Sequence, residues 1–580
     1  MSELHISASS AGADPCSLVP GRDLVLTADP PHVLDLPHGT LADDYLDAGA
    51  RTEIDETSVA VRDAWQTSLR EELTVEGVSL PWVWSLELLA GAVLPAIHLA
   101  EASRAALDAS QPARVVLAGL EPTDRAVIEA VAREHGIKTS VDVAPSVARR
   151  GETQVPARRR LVRAVTGVGL PSFGHHRGTL VFGYWHLAPL IEQMVAEGIS
   201  PVLSSRALPP NPRRTLRAAA RGGIAGSPGP IARREGRRLA AAALYRLATP
   251  KLPGLSVEVA AHVNDRLTAF AHARTAPDIT DALFWRRLFD RGTIAAVVVP
   301  NDVVSELRLV VALAQAARIP TLVVQHGVYL PPTPDVPQRP IDDRVGDLET
   351  ADEVAVWSRL TAAALPETDR EVHIVGYPLP HAVLPPTTPR DAVRPRVLVL
   401  VQGPERITST VHQRMIGQHS AVATRATLRL FPDAKVTLRP HPSHDVRAVD
   451  AARRRFSGSA VSIDATSDIE ALLQTHDVCI GSNSTAVYQA AAAGCTVVIL
   501  NLTEFDWKWP LAGDTPVPVA RSEDELVAAL RTAVAAPSAA AREVLVQALG
   551  ARGDDGSARL LDVVRTLPER AERRARSSGR

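Results

Sequence analysis

Asp477-Val478-Cys479-Ile480-Gly481-Ser482-Asn483-Ser484-Thr485 runs from an apolar stretch into a polar turn; the Ala-rich Ala486 to Ala493, Gly494-Cys495 and the β-branched Thr496 to Leu500 follow. Short apolar runs bounded by Gly, Pro or Asn are the pattern of strands buried on both faces, so this stretch reads as strand, turn, helix, strand. The same alternation extends towards the N-terminus. Arg114 to Gly119, Thr179 to Gly183, Ile294 to Pro300, Thr321 to Gln325, Val372 to Gly376, Arg396 to Gln402 and Lys435 to Leu438 are further strand candidates between helical segments. Such alternation predicts an α/β fold of doubly wound parallel sheets.

A Pro-rich stretch from Gly376-Tyr377-Pro378 to Pro389 divides the candidates into two sets, because no regular element runs far through it. The sequence therefore divides into an irregular N-terminal arm over 1–55, a first Rossmann-like domain over 56–378, a Pro-rich linker over 379–392 acting as hinge, a second Rossmann-like domain over 393–565, and a basic tail over 566–580. The first domain carries an insertion at about 206–246 with ten arginines and one acid, Glu235. It reads either as a solvated helical insertion or as a surface for anionic lipid headgroups or a phosphate-bearing acceptor. Nucleic acid fits less well, because stacking aromatics are nearly absent there.

The 580 residues are 46% apolar and 22% charged, which excludes a fibrous repeat or wholesale disorder. A net charge of -2 gives the whole chain no pull towards nucleic acid. Cys16, Cys479 and Cys495 are too few and scattered for a disulfide framework or zinc site, and free thiols in a reducing cytoplasm are expected. No basic segment leads into an apolar core at the N-terminus, so export is not expected. Leu80 to Ala100 is mostly apolar but holds Glu87, Pro95 and His98, which favours a buried helix over a membrane span.

In open α/β sheets ligands bind beyond the carboxyl ends of strands, so the residues following each strand are the site candidates. One strand ends in Gln325-His326-Gly327, and the glycine permits close approach. Another ends in Leu438-Arg439-Pro440-His441-Pro442, where two prolines fix the backbone around an imidazole and Arg439 offers a fork for phosphate oxygens. Ser482-Asn483-Ser484-Thr485 combines hydroxyls, an amide and a helix start, a phosphate cradle that needs neither lysine nor metal. Gln402-Gly403-Pro404-Glu405, after the first strand of the second set, is placed to line the same cleft.

In this order the four elements resemble the GT-B glycosyltransferases, two Rossmann-like doubly wound domains facing a central cleft. Within that superfamily they are most similar to the CDP-glycerol glycerophosphotransferases and the capsule-polysaccharide and polysialic-acid transferases. The likeness covers roughly Ile294 to Leu530. It implies that His441 binds the donor's phosphate, that Ser482, Ser484 and Thr485 hold the phosphates of the nucleotide leaving group, and that His326 faces the cleft from the acceptor side. Where such enzymes often carry a Glu directed at the ribose diol, this chain has Gln489, which keeps hydrogen bonding and loses the charge.

The implied reaction moves a sugar or glycerol-phosphate-like unit from a CMP-, CDP- or UDP-activated donor to a hydroxyl of a cell-surface polysaccharide or its lipid-linked precursor. It needs a base, for which a histidine such as His326 is suited, and donors for the phosphate charge. No Asp-x-Asp element follows a strand, so no catalytic metal and no cofactor are expected. The expected location is cytoplasmic, with peripheral contact to the inner face of the plasma membrane through the Arg-rich segments. Two other readings stand beside this one: a UDP-sugar 2-epimerase using carboxylates such as Asp302, Glu405 and Asp506, and a catalytically inactive binding protein. Trp507, Lys508 and Trp509 read as a lid or a packed edge, His175-His176 as a polar loop, and Gly183-Tyr184-Trp185-His186 as a segment that follows a strand and could face the acceptor.

Overall fold

The computed structural model describes residues 3–9, 18–27, 38–142, 177–205, 212–247, 249–328, 348–365, 369–378, 391, 393–401, 413–441, 460–482, 484–503, 510–511, 514–550 and 556–577. All nine strand candidates are strands. Among the described residues, three parallel sheets carry the chain. The second, in spatial order, is Glu371–Ile374, Glu353–Val356, Thr321–Val324, Ile294–Val299, Gly178–Val181, Pro201–Ser204 and Ile224–Ala225. The third is Val461–Ile463, Lys435–Pro440, Arg396–Val401, Val478–Gly481, Thr496–Leu500 and Val519–Ala520. In each the strand entered first lies inside the sheet and the order reverses beside it, next to Ile294–Val299 in the second and Val478–Gly481 in the third. Ligands of doubly wound sheets bind at that reversal.

Alternation along each strand explains the layers. Val297 and Val299 point into a core shared with the N-terminal helices, while Ala296 and Val298 meet the opposite layer. That opposite layer contains Leu560, Leu561, Val564 and Leu567 from the last helix, Gly556–Ser577. Residues 566–577, within the expected basic tail, continue this helix, and Leu567 joins the apolar face with which it covers the second sheet.

The expectation of an irregular arm over 1–55 is also corrected. Glu3–Ser9 and Asp23–Thr27 pair in parallel with each other, and Glu3–Ser9 pairs with Arg114–Ala118, beside which Lys138–Asp142 completes the first sheet. Helix Ala48–Ser68 begins within the same span. The Leu80 to Ala100 run forms consecutive helical segments ending in Leu94–Ser110, with Leu88, Val93 and Ile97 in the shared core. The 206–246 insertion forms helices Pro212–Gly222 and Pro230–Leu244 around the edge strand Ile224–Ala225. Cys479 and Cys495 are buried free thiols, and Cys16 lies outside the described residues, as does most of the 379–392 linker.

Charge pins the last helix to the second sheet. Arg570 grips Glu353 with two nitrogens at 3.1 and 2.5 Å, Arg574 reaches it at 2.6 Å, and His373 lies 2.8 Å away. Glu353, Glu371 and His373 are close enough together to hold a metal ion, but these two guanidiniums already balance the carboxylates. Burial alone would raise the Glu353 carboxyl from its ordinary 4.5; hydrogen bonds from His373 and Arg570, then the Arg570 charge, bring it down to about 2. A folded value below the unfolded one stabilises fully above the unfolded value and fades as pH falls through the folded one. We expect Glu353→Gln to lower stability in urea unfolding by about 3 kcal/mol at neutral pH. That difference from the wild type should shrink as pH is lowered from about 4.5 towards about 2.

Candidate functional site

The turn after Val478–Gly481 is shaped by close packing. A Cβ on Gly481 would meet Val487 Cγ2 at 2.6 Å, so glycine lets helix Thr485–Ala492 seat directly on the strand. Ser482 is buried at the strand's end. The Ser484 N–H donates to Ser482 O at 3.0 Å, and Ser484 Oγ accepts from Ala486 N as the helix cap. Capping thus accounts for Ser484's local role and leaves Thr485 at the positive end of the helix dipole.

Register brings His441 to the same edge. Val401 pairs with Pro440, while Val399 pairs with Ile480, so His441 and Ser482 leave the sheet at one end with strand Arg396–Val401 between them. Two strand spacings put their backbones roughly 10 Å apart. His441 is exposed there, and partial burial lowers its imidazole below the ordinary range. Arg439 serves another purpose: its guanidinium donates to Asp464 O at 3.0 Å and holds the adjoining turn. Burial would raise the Asp464 carboxyl, but hydrogen bonds from Ser467 and Thr466 and the Arg439 charge bring it to about 2.

The facing element comes from the second sheet. Gln325, fully buried, accepts the Trp357 N–H at 2.7 Å and donates to Gly327 O at 2.6 Å and Thr361 Oγ1 at 3.1 Å. Both ends of its amide therefore fix the His326-Gly327 turn. A Cβ on Gly327 would lie 3.9 Å from Thr485 Oγ1, so this turn stands directly against the start of the third sheet's helix. His326 is half-buried, its ring 6.5 Å from that of His186. Burial, then the neighbouring His326, lowers His186 to about 3, so it stays neutral.

A junction underlies this meeting. Tyr377 donates its N–H to Leu549 O at 3.0 Å, stands edge-on to Trp357, and its hydroxyl accepts from Gln489 Nε2 at 2.7 Å. One donor of the residue placed at the ribose position is thereby engaged. Asp302 is fully buried and accepts the N–H groups of Leu348 and Thr350 at 2.6 and 2.5 Å and the Thr350 hydroxyl at 2.7 Å. It fastens the approach to strand Glu353–Val356 and is closed to a sugar ring. Gln402, Gly403 and Asn483 lie outside the described residues, as do His175, His176, Glu405, Asp506, Trp507, Lys508 and Trp509.

Two buried groups escape a reading of strand ends. Gln325 precedes the conspicuous histidine, and its amide role depends on Trp357 far along the chain. His419, on helix Gln413–Leu430, is buried beside the backbone of Gly481 and Leu500, and burial lowers it to about 4. A polar ring on the inner face of an amphipathic helix is its only sequence signal.

No protein-family model matches the chain, and no curated protein matches it in sequence. Among solved structures it is similar to the pneumococcal O-GlcNAc transferase GtfA in complex with UDP and GlcNAc, at 10% identity and a TM-score of 0.32 over 50% of this chain. The match spans 60% of that protein, under two thirds of its length. S. aureus MnaA with UDP is similar at 12% identity and TM-score 0.39, over 67% of this chain and 96% of that one. The wall teichoic acid polymerase TagF soaked with CDPG is similar at 10% identity and TM-score 0.35, over 68% and 90%.

The turn facing Thr485 has a direct test. We expect Gln325→Leu to lower stability by about 2 kcal/mol in urea unfolding, since the Trp357 N–H and Gly327 carbonyl lose their partner. A loss under about 0.5 kcal/mol would show that the amide does not hold the turn.

Proposed function

We propose that the chain is a GT-B-type transferase that moves a sugar or glycerol-phosphate-like unit from a CMP-, CDP- or UDP-activated donor to a hydroxyl of a cell-surface polysaccharide or its lipid-linked precursor. It works in the cytoplasm at the inner face of the plasma membrane, without a catalytic metal. The observation that supports this reading is the approach of Gly327 to Thr485, which brings the His326-Gly327 turn of one sheet against the helix start of the other.

In the proposed reaction His326 accepts the proton of the acceptor hydroxyl as its oxygen attacks the transferred group. The bond from that group to the nucleotide phosphate breaks, and the phosphate keeps the electron pair. The start of helix Thr485–Ala492, the hydroxyls of Ser482, Ser484 and Thr485, and His441 receive the charge. Gln489 takes a ribose hydroxyl through its remaining hydrogen-bonding capacity. Because Arg439 is engaged with Asp464, the grip depends on dipoles more than on a fixed cation. The burial of Asp302 weighs against an epimerase, which needs carboxylates around the ring.

Purified wild type, His441→Ala and Ser484→Ala, supplied in parallel with CDP-glycerol, UDP-sugars or CMP-sugars and a polysaccharide acceptor, test the reading. We expect transfer by the wild type with one donor class and a loss of roughly 100-fold or more in each variant, with circular dichroism unchanged. Undiminished turnover in both variants rejects the site, and absence of nucleotide binding by the wild type points to an inactive binding protein.

Nucleotide binding should also carry a proton. His441 lies below its ordinary pKa when the site is empty, and an adjacent phosphate raises it, so binding takes up a proton. The affinity advantage of wild type over His441→Gln should therefore grow as pH falls from about 8 to about 6 in calorimetry. The subtraction removes the titration of the phosphate itself.

A further inference from the structure

Helix Pro230–Leu244 is held in one rotation by small residues. Ala232, Gly236 and Ala240, spaced four apart, form its buried face against the long helix Val257–Phe289. A Cβ on Gly236 would stand 2.1 Å from Thr280 Oγ1 and 3.0 Å from Thr280 N, so no larger residue permits this approach. With that face turned inward, Ile231, Arg234, Arg238 and Tyr245 fall on one outward stripe by helical spacing. Ile231 is 80% exposed and Tyr245 is 92% exposed. They stand at the two ends of the stripe, roughly 21 Å apart along the axis.

Between them Arg234, Arg237 and Arg238 are exposed, and none makes a hydrogen bond or ion pair among the described residues. The segment's single acid, Glu235, is engaged by Arg287 at 2.6 Å and leaves this positive charge unbalanced. Single exposed apolar residues need no explanation. A β-branched side chain and a tyrosine at the ends of a row of unpaired arginines form a different pattern: large apolar groups that enter the headgroup boundary, and guanidiniums that meet phosphates there.

We propose that the outward face of helix Pro230–Leu244 docks on an anionic lipid bilayer. Ile231 and Tyr245 insert at the headgroup level while Arg234, Arg237 and Arg238 bind lipid phosphates. A nucleic acid would find one stacking ring over the same length, which favours the bilayer. Nothing in the transfer chemistry requires this surface; the inference deepens the proposed location at the inner face of the plasma membrane by naming the element that makes the contact, and it stands on the helix's own residues.

Flotation of the full chain with vesicles tests it, using phosphatidylcholine alone and phosphatidylcholine with about 30 mol% phosphatidylglycerol. The expected result is co-flotation with the anionic vesicles, at least about tenfold weaker partition to the neutral ones, and release by high salt. Arg234→Glu with Arg238→Glu should cut anionic partition about tenfold or more, and Ile231→Ser with Tyr245→Ser severalfold, both with unchanged nucleotide binding. Equal partition to both vesicles, wild-type partition by both variants, or retention on single-stranded DNA in place of vesicles overturns the proposal. A chain that floats but transfers nothing keeps this inference and loses the proposed reaction; one that transfers but does not float does the reverse.

Discussion

At the junction of the second and third sheets a carbonyl and a glycine approach more closely than any side chain allows. A Cβ on Gly550, whose φ is +98°, would stand 2.4 Å from Trp357 O, and one on Gly556 would stand 2.3 Å from Tyr377 O. Three passages of the chain meet here: the exit from strand Glu353–Val356, the Gly376-Tyr377 segment, and the approach to the last helix. Each passage continues to something the site needs. Trp357 holds Gln325 and through it the His326-Gly327 turn; Tyr377 holds Gln489; and the last helix closes the outer face of the second sheet. A substituent at either glycine would push apart elements whose separation sets the distance from Gly327 to Thr485.

The electrostatics of the site follow from burial more than from charge. His186 and His419 are driven to about 3 and about 4, and His441 is lowered as well. Burial thus disfavours charge on all three rings, and Arg439 is engaged with the turn at Asp464. What first meets an anion is a set of neutral donors around a helix start, with His441 able to take up a proton as the anion arrives. Such a cradle discriminates by the direction of its dipoles, which are fixed by packing and need little reorganisation as charge develops. A fixed ammonium would bind phosphate before and after reaction alike, whereas oriented dipoles favour the geometry they point at.

How much of this was legible depended on where each signal resides. Strands such as Ile294–Val299 and Thr496–Leu500 are buried on both faces, and their continuous β-branched runs announce them without knowledge of neighbours. Glu3–Ser9 carries polar residues on one face, and it is pairing with Arg114–Ala118 on one side and Asp23–Thr27 on the other that makes it a strand. Glu353–Val356 begins with a carboxylate that looks solvated until Arg570 and Arg574 arrive from more than 200 residues away. The same separation hid the last helix, whose arginines resemble a basic tail when counted and an anchor when paired. At the site, strand ends pointed to His326, His441 and the Ser482 to Thr485 turn because position in a doubly wound sheet depends on topology alone. Side-chain partners were not legible: adjacency to His441 suggested a phosphate role for Arg439, while its hydrogen bond to Asp464 O holds it to the neighbouring turn.

Helix Thr485–Ala492 shows why the arrangement is stiff where chemistry would need it. Its first turn carries the cap Ser484 and Thr485, its second turn sends Gln489 to Tyr377, and its last carbonyls, on Ala491 and Ala492, accept from Arg542 at 3.0 and 3.4 Å. Gly481 lets Val487 press onto the strand below. Eight residues are thus held at both ends, along one side and at the junction, so sliding the helix would break several of these contacts at once. A site presented by an element so constrained keeps its donors in place before a ligand arrives, and the ligand's binding energy need not be spent on ordering them.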